Sequence, residues 1–160
     1  MFRPAIAVCT FAMVVIAGCG GDDIKNKTAQ TGLPMERLSQ GEECRYQEMK
    51  PDFAVRADEG GYNSLWKKLF SGDKPAVDMK TRIVLLALLG QHQGSKIEIL
   101  SAEAKGEVME IKVWQKKSKS IGSKQTSPFD LAAVQRVEGV TKYKFIDSES
   151  GDLLEETKAY

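Results

Sequence analysis

The run Ile83-Val84-Leu85-Leu86-Ala87-Leu88-Leu89 is apolar throughout and stops at Gly90. An extended chain turns successive side chains to opposite sides, so a strand of this composition needs cover on both faces. A short helix is also compatible with the run, because leucine favours neither state strongly. The segments around it are more decisive. Phe53, Val55 and Ala57 alternate with Ala54 and Arg56, between Pro51-Asp52 and Glu59-Gly60-Gly61, which is a strand pattern. Tyr62, Leu65, Trp66, Leu69 and Phe70 then form one stripe of a short amphipathic helix, with Lys67 and Lys68 on its wet side. Asp58 or Asn63 can cap its start, and Ser71-Gly72 stops it. A partner groove could use a stripe with Trp66, but core packing is its commoner fate. Lys96 to Ala102 and Val108 to Gln115 alternate on either side of Ala104-Lys105-Gly106, as in a hairpin that uses Gly106 for positive φ. Phe129 to Val137 and Lys142 to Ile146 supply two further strands. The expected fold is α+β: a mostly antiparallel, sandwich-like β domain with one short amphipathic helix near its start.

Composition narrows the function. The chain has 160 residues, 42% apolar and 28% charged, as expected of one folded domain. Its 23 basic and 22 acidic residues leave a formal charge of +1, which argues against nucleic-acid binding. A single histidine, His92, removes His-paired triads and most zinc sites. Three cysteines without CxxC spacing remove zinc ribbons and thioredoxin-like motifs. No phosphate loop, dinucleotide turn or EF-hand spacing is present, so no cofactor or metal is expected.

The first residues carry a location. Arg3 is the only charge before Asp22, Ala5 to Val15 is almost wholly apolar, and Ile16-Ala17-Gly18-Cys19 closes the run. This is the layout of a secretory signal, too short for a spanning helix. The last four residues resemble the lipobox of bacterial lipoproteins. The resemblance implies cleavage before Cys19, acylation of its thiol, and a lipid anchor in the cell envelope; Gly20 favours the outer membrane where a bacterium has two. The other reading is an ordinary signal peptide or a short anchor with a chance cysteine. Two or three acyl chains hold a protein firmly, at about 0.8 kcal/mol per buried methylene. Losing Arg3 brings the basic residues level with the 22 acidic ones, so attachment is by lipid and not by charge.

The expected divisions are a signal peptide at 1–18, a flexible tether at 19–43, a β-rich domain at 44–147 and a loose acidic tail at 148–160. About twenty flexible residues span roughly 25 Å. Cys44 is either a buried thiol or an intermolecular partner. His92 is the one side chain with a pKa near neutrality, in a loop between expected strands; catalysis there would need a partner that the spacing does not supply. The carboxylates show no close pairing of the kind used in hydrolysis, and no enzymatic activity is expected. Lys116, Lys117, Lys119 and Lys124 form either a solvated loop or a patch for an anionic surface or an acidic protein. Without interleaved aromatics they do not suit single-stranded nucleic acid.

Two segments, in this order, resemble the lipoprotein family named for PrcB, a subunit of a spirochaete surface protease complex. The first is Tyr62-Asn63-Ser64-Leu65-Trp66 with the later Val77-Asp78-Met79 step. The second runs from Ile83 through Leu89-Gly90, Ile97-Glu98-Ile99 and Trp114 to Gln125-Thr126-Ser127-Pro128-Phe129. The likeness covers about residues 53–137. Two family loops differ: Gln91-His92-Gln93-Gly94-Ser95 replaces a Pro-Thr-Gly-Gly-Tyr loop, and Ser123 stands where the family has a cysteine. The resemblance implies a non-catalytic domain that binds a protein partner, as an accessory subunit of an exported protease or with another envelope protein. The contact surface is expected at the loops 90–96 and 116–127, with Gln91, His92, Gln93, Lys116, Lys117, Lys119 and Lys124 as contact residues. A structural or small-ligand-binding envelope lipoprotein is the alternative.

Overall fold

The computed structural model describes residues 32–91, 95–116 and 126–160. Cys19, His92, Gln93, Lys117, Lys119 and Lys124 lie outside the described residues, as do the signal peptide and most of the expected tether. In chain order the elements are β1 (Met35–Gly41), β2 (Asp52–Arg56), α1 (Glu59–Leu69), β3 (Arg82–Leu88), β4 (Lys96–Lys105), β5 (Val108–Lys116), β6 (Phe129–Gln135), β7 (Lys142–Asp147) and β8 (Leu153–Thr157). They form two four-stranded sheets, ordered β1-β6-β3-β2 and β4-β5-β7-β8. All pairs are antiparallel except β5 with β7. The fold is α+β and sandwich-like.

The apolar run is a strand, and its two faces explain the layers. Ile83, Leu85 and Ala87 join Ile97, Ile99, Met109, Ile111, Val113 and Phe145 between the sheets. Val84, Leu86 and Leu88 turn the other way, onto Tyr62, Leu65, Trp66 and Leu69 of α1. Helix, first sheet and second sheet therefore stack in three layers, with β3 in the middle one. Each leucine so buried is worth about 1.5–3 kcal/mol. At the helix start, Asp58 accepts a 2.8 Å hydrogen bond from the Gly61 N–H, which settles the cap in favour of Asp58 over Asn63. The β4–β5 hairpin turns at Gly106 with φ of 60°, as its spacing predicts.

Two expectations need correction. The tether does not run to 43: β1 lies inside it, paired with β6. The tail after 147 is not loose either, because β8 pairs with β7, and Tyr160 exchanges backbone hydrogen bonds with Val55 and Ala57 of the β2 edge. Neither strand has an apolar alternation, since both are sheet edges held mainly by backbone pairing. A β-bulge between Arg37 and Ser39 breaks the alternation of β1 further.

The β1–β4 seam is closed by side chains. Strand β4 ends its sheet, and an open edge of this kind invites foreign pairing. The Asp130 carboxylate of β6 is fully buried in the inter-sheet phase of its strand and accepts a 2.7 Å bond from the Ile99 N–H. Arg37 Nε donates to the other Asp130 oxygen at 3.1 Å, while its Nη2 donates to Glu98 at 2.8 Å and to the Ile99 carbonyl at 3.3 Å. Gln40 Nε2 reaches the Ile97 carbonyl, and the Leu33 N–H reaches the Ala102 carbonyl. Burial pushes the Asp130 carboxyl above its ordinary range, outweighing the Ile99 bond and Arg37. Burial also works against the Arg37 charge, but Asp130 and Glu98 prevail and raise its pKa.

Candidate functional site

One end of the sandwich gathers the described parts of the expected contact loops. Strands β1, β5 and β7 end there, and β2, β4, β6 and β8 begin there, as their registers and cross-seam bonds require. Lys96 and Lys116 sit directly opposite each other in the β4–β5 register, both exposed. Like charges so placed repel. Gln91 follows Gly90 at this same end, and its N–H donates to the Glu48 carbonyl at 2.9 Å. Of the seven expected contact residues, the described ones are Gln91 and Lys116.

The segment 42–51 packs under this end. A Cβ at Gly90, whose φ is 86°, would meet the backbone of Glu48, Met49 and Lys50 at 2.9 Å, so only glycine admits the approach. Ser127 Oγ donates to the Tyr46 carbonyl at 2.6 Å. Cys44 Sγ donates to the Ser127 carbonyl at 3.4 Å, half-buried, and burial pushes its thiol pKa up. Burial thus works against the thiolate form that a nucleophile needs.

Beside the lysine pair lies a groove of about 320 Å³ lined by Gln40, Gly41, Glu42, Lys96, Ile97, Glu98 and Trp114. It forms where the end of β1 and Glu42 meet the start of β4 and Trp114 of β5. Met109, Ile111 and Val113 point inward along β5, which leaves Trp114 half-exposed on the outer face, opposite Glu98. Glu149, from the β7–β8 turn, accepts a 2.9 Å bond from the Trp114 indole N–H and fixes the ring. In sequence, a tryptophan in the polar phase of an alternating strand is a readable signal for Trp114. Gln40 and Glu42 carry no such signal, because β1 itself is not visible there.

Among the described residues no cluster of histidine, cysteine and carboxylate side chains could hold a metal ion. No helix among them is long and apolar enough to cross a membrane. No protein-family model matches this chain, and no curated protein or solved structure matches it.

Proposed function

We propose that this is a lipid-anchored, non-catalytic protein of the bacterial cell envelope, held by acylated Cys19, that binds a protein partner as an accessory subunit of an exported protease. The PrcB-type resemblance motivates the partner. One geometric observation supports the arrangement. The first described residues lie beside Ala102, whose carbonyl accepts from the Leu33 N–H near the β4–β5 turn, whereas Gln91, Lys96 and Lys116 occupy the opposite end. The length of β1, about 3.3 Å per residue, separates the two ends. An anchor on the N-terminal side thus leaves the lysine-bearing end free to face a partner away from the bilayer.

The test has two arms. Cys19→Ser should abolish incorporation of labelled fatty acid and cutting before residue 19; unchanged labelling or processing would end the anchoring reading. A photo-crosslinking residue at position 116 should then capture an exported protease in envelope preparations, and one at position 105, on the opposite end, should not. Equal labelling from both ends, or none from 116, defeats the partner reading.

A further inference from the structure

We propose that the groove beside Trp114 binds a short, uncharged saccharide. This goes beyond the protein-partner reading and does not depend on whether Cys19 carries lipid. Its volume of about 320 Å³ lies at the lower end of the range of small-ligand pockets, roughly 300–1,000 Å³. The chemistry of the lining selects the class. An indole offers an apolar face for the C–H side of a sugar ring, and it is the one aromatic surface in the groove. Around it stand the carboxylates of Glu42 and Glu98, the Gln40 amide and the Lys96 ammonium, supplying acceptors and donors together. A phosphate or an acidic peptide would meet Glu42 and Glu98; a cation would meet Lys96. A polyhydroxylated neutral ligand uses every one of these groups, since each hydroxyl both donates and accepts.

The lining is also held in place before any ligand arrives. The indole N–H is tied to Glu149, the Glu98 carboxylate to Arg37 at 2.8 Å, and the Gln40 amide to the Ile97 carbonyl at 3.2 Å. Fixing these rotamers in the free protein removes part of the ordering cost from binding. Gly41 lines the groove with its backbone. Its backbone lies so close to Phe129 that a Cβ would stand 3.0 Å from the ring.

The full chain in detergent is applied to a glycan array, and binding is then measured by titration with an N-acetylglucosamine trimer, with maltotriose and with any further neutral array binder. The expected result is saturable binding of at least one neutral saccharide, read by isothermal titration calorimetry, which does not depend on Trp114 as reporter. Trp114→Ala should weaken it at least tenfold, Glu98→Gln should weaken it severalfold, and Trp114→Phe should retain part of the affinity. Circular dichroism of each variant separates loss of the site from loss of the fold. Three outcomes overturn the proposal: no neutral saccharide bound, binding indifferent to Trp114→Ala in a folded variant, or capture of sulfated glycans alone that depends on Lys96 and Lys116.

Discussion

Replacing Asp130 by alanine tests how the sandwich seals its β1–β4 seam. Asp130 is fully buried, and its carboxylate is the acceptor for the Ile99 N–H at 2.7 Å, on a residue that is itself 0% exposed. Alanine removes that acceptor and leaves a buried amide unpaired, at a cost of about 1–3 kcal/mol. Arg37 loses one of three contacts but keeps Glu98 and the Ile99 carbonyl, and with 39% of its side chain exposed it can rehydrate. The larger penalty of stranding a buried charge, about 3–5 kcal/mol, therefore does not apply. Asparagine should cost less than alanine, because its amide oxygen can still accept from Ile99 while the expense of burying a charge disappears. Urea unfolding measures both variants. An unchanged slope with a midpoint lowered by about 1 M is the expected signature for alanine. Hydrogen exchange gives a local readout, and the Ile99 amide should lose protection before its neighbours in β4 do. If the alanine variant unfolds within about 0.3 kcal/mol of the parent and Ile99 exchanges as before, the seam is held by apolar packing alone and the reasoning fails.

Two further tests use the same unfolding assay. Gly90→Ala and Gly139→Ala start from nearly the same backbone, with φ of 86° and 83°, but only Gly90 has backbone atoms 2.9 Å from where a Cβ would stand. Both should lose about 1 kcal/mol to the left-handed conformation, and Gly90→Ala a further ~1–3 kcal/mol to displacement of segment 48–50; equal losses would refute the close approach. The pH dependence should have two limbs. The carboxyl of Asp130 titrates above its ordinary value of 3.8 in the folded state because burial disfavours its charge, so its contribution to stability grows as pH falls through that raised value. Asp78, bonded by Thr81 and Lys80, and Asp147, bonded by Ser150 and Gln115, titrate below their ordinary value, so the stability they give is lost as pH falls further. Asp130→Asn should flatten the first limb and leave the second. A second limb that also flattened would refute the assignment.

How much of this was readable in advance depended on what holds each element. Strand β3, α1 and the β4–β5 hairpin announce themselves because burial selects their side chains, and burial imposes a period: both phases apolar for β3, a helical stripe for α1, one inward phase for β5. Strands β1 and β8 escape that logic. Each is an edge, half-exposed, and stabilised by a backbone ladder that any sequence can make. Their side chains are chosen for what they cap, as Arg37 and Gln40 cap the carbonyls of Ile99 and Ile97. Asp130, a charge at the second position of the mostly apolar β6, reads as an error in a core strand until its partner across the seam is known.

The same physics explains why the candidate site was harder to see than the core. Gln40, Glu98 and Trp114 are brought to one groove by the meeting of two sheet edges and by a register, and neither is written in local periodicity. The lysine run drew attention through composition alone, yet Lys96 and Lys116 form their opposed pair only because β4 and β5 are aligned as they are. The β-bulge between Ile99 and Ser101 adds a residue to β4 on the far side of Ile99 from Lys96. It shifts every pairing toward the Gly106 turn by one position and leaves those at the groove end in phase. A register slip at that bulge would exchange the two faces of β4 at the groove end and take Glu98 away from Trp114. The seam bonds of Asp130 and Arg37 sit at Ile99, the residue bordering the bulge, so the clasp that closes the sandwich also fixes which β4 side chain stands opposite Trp114.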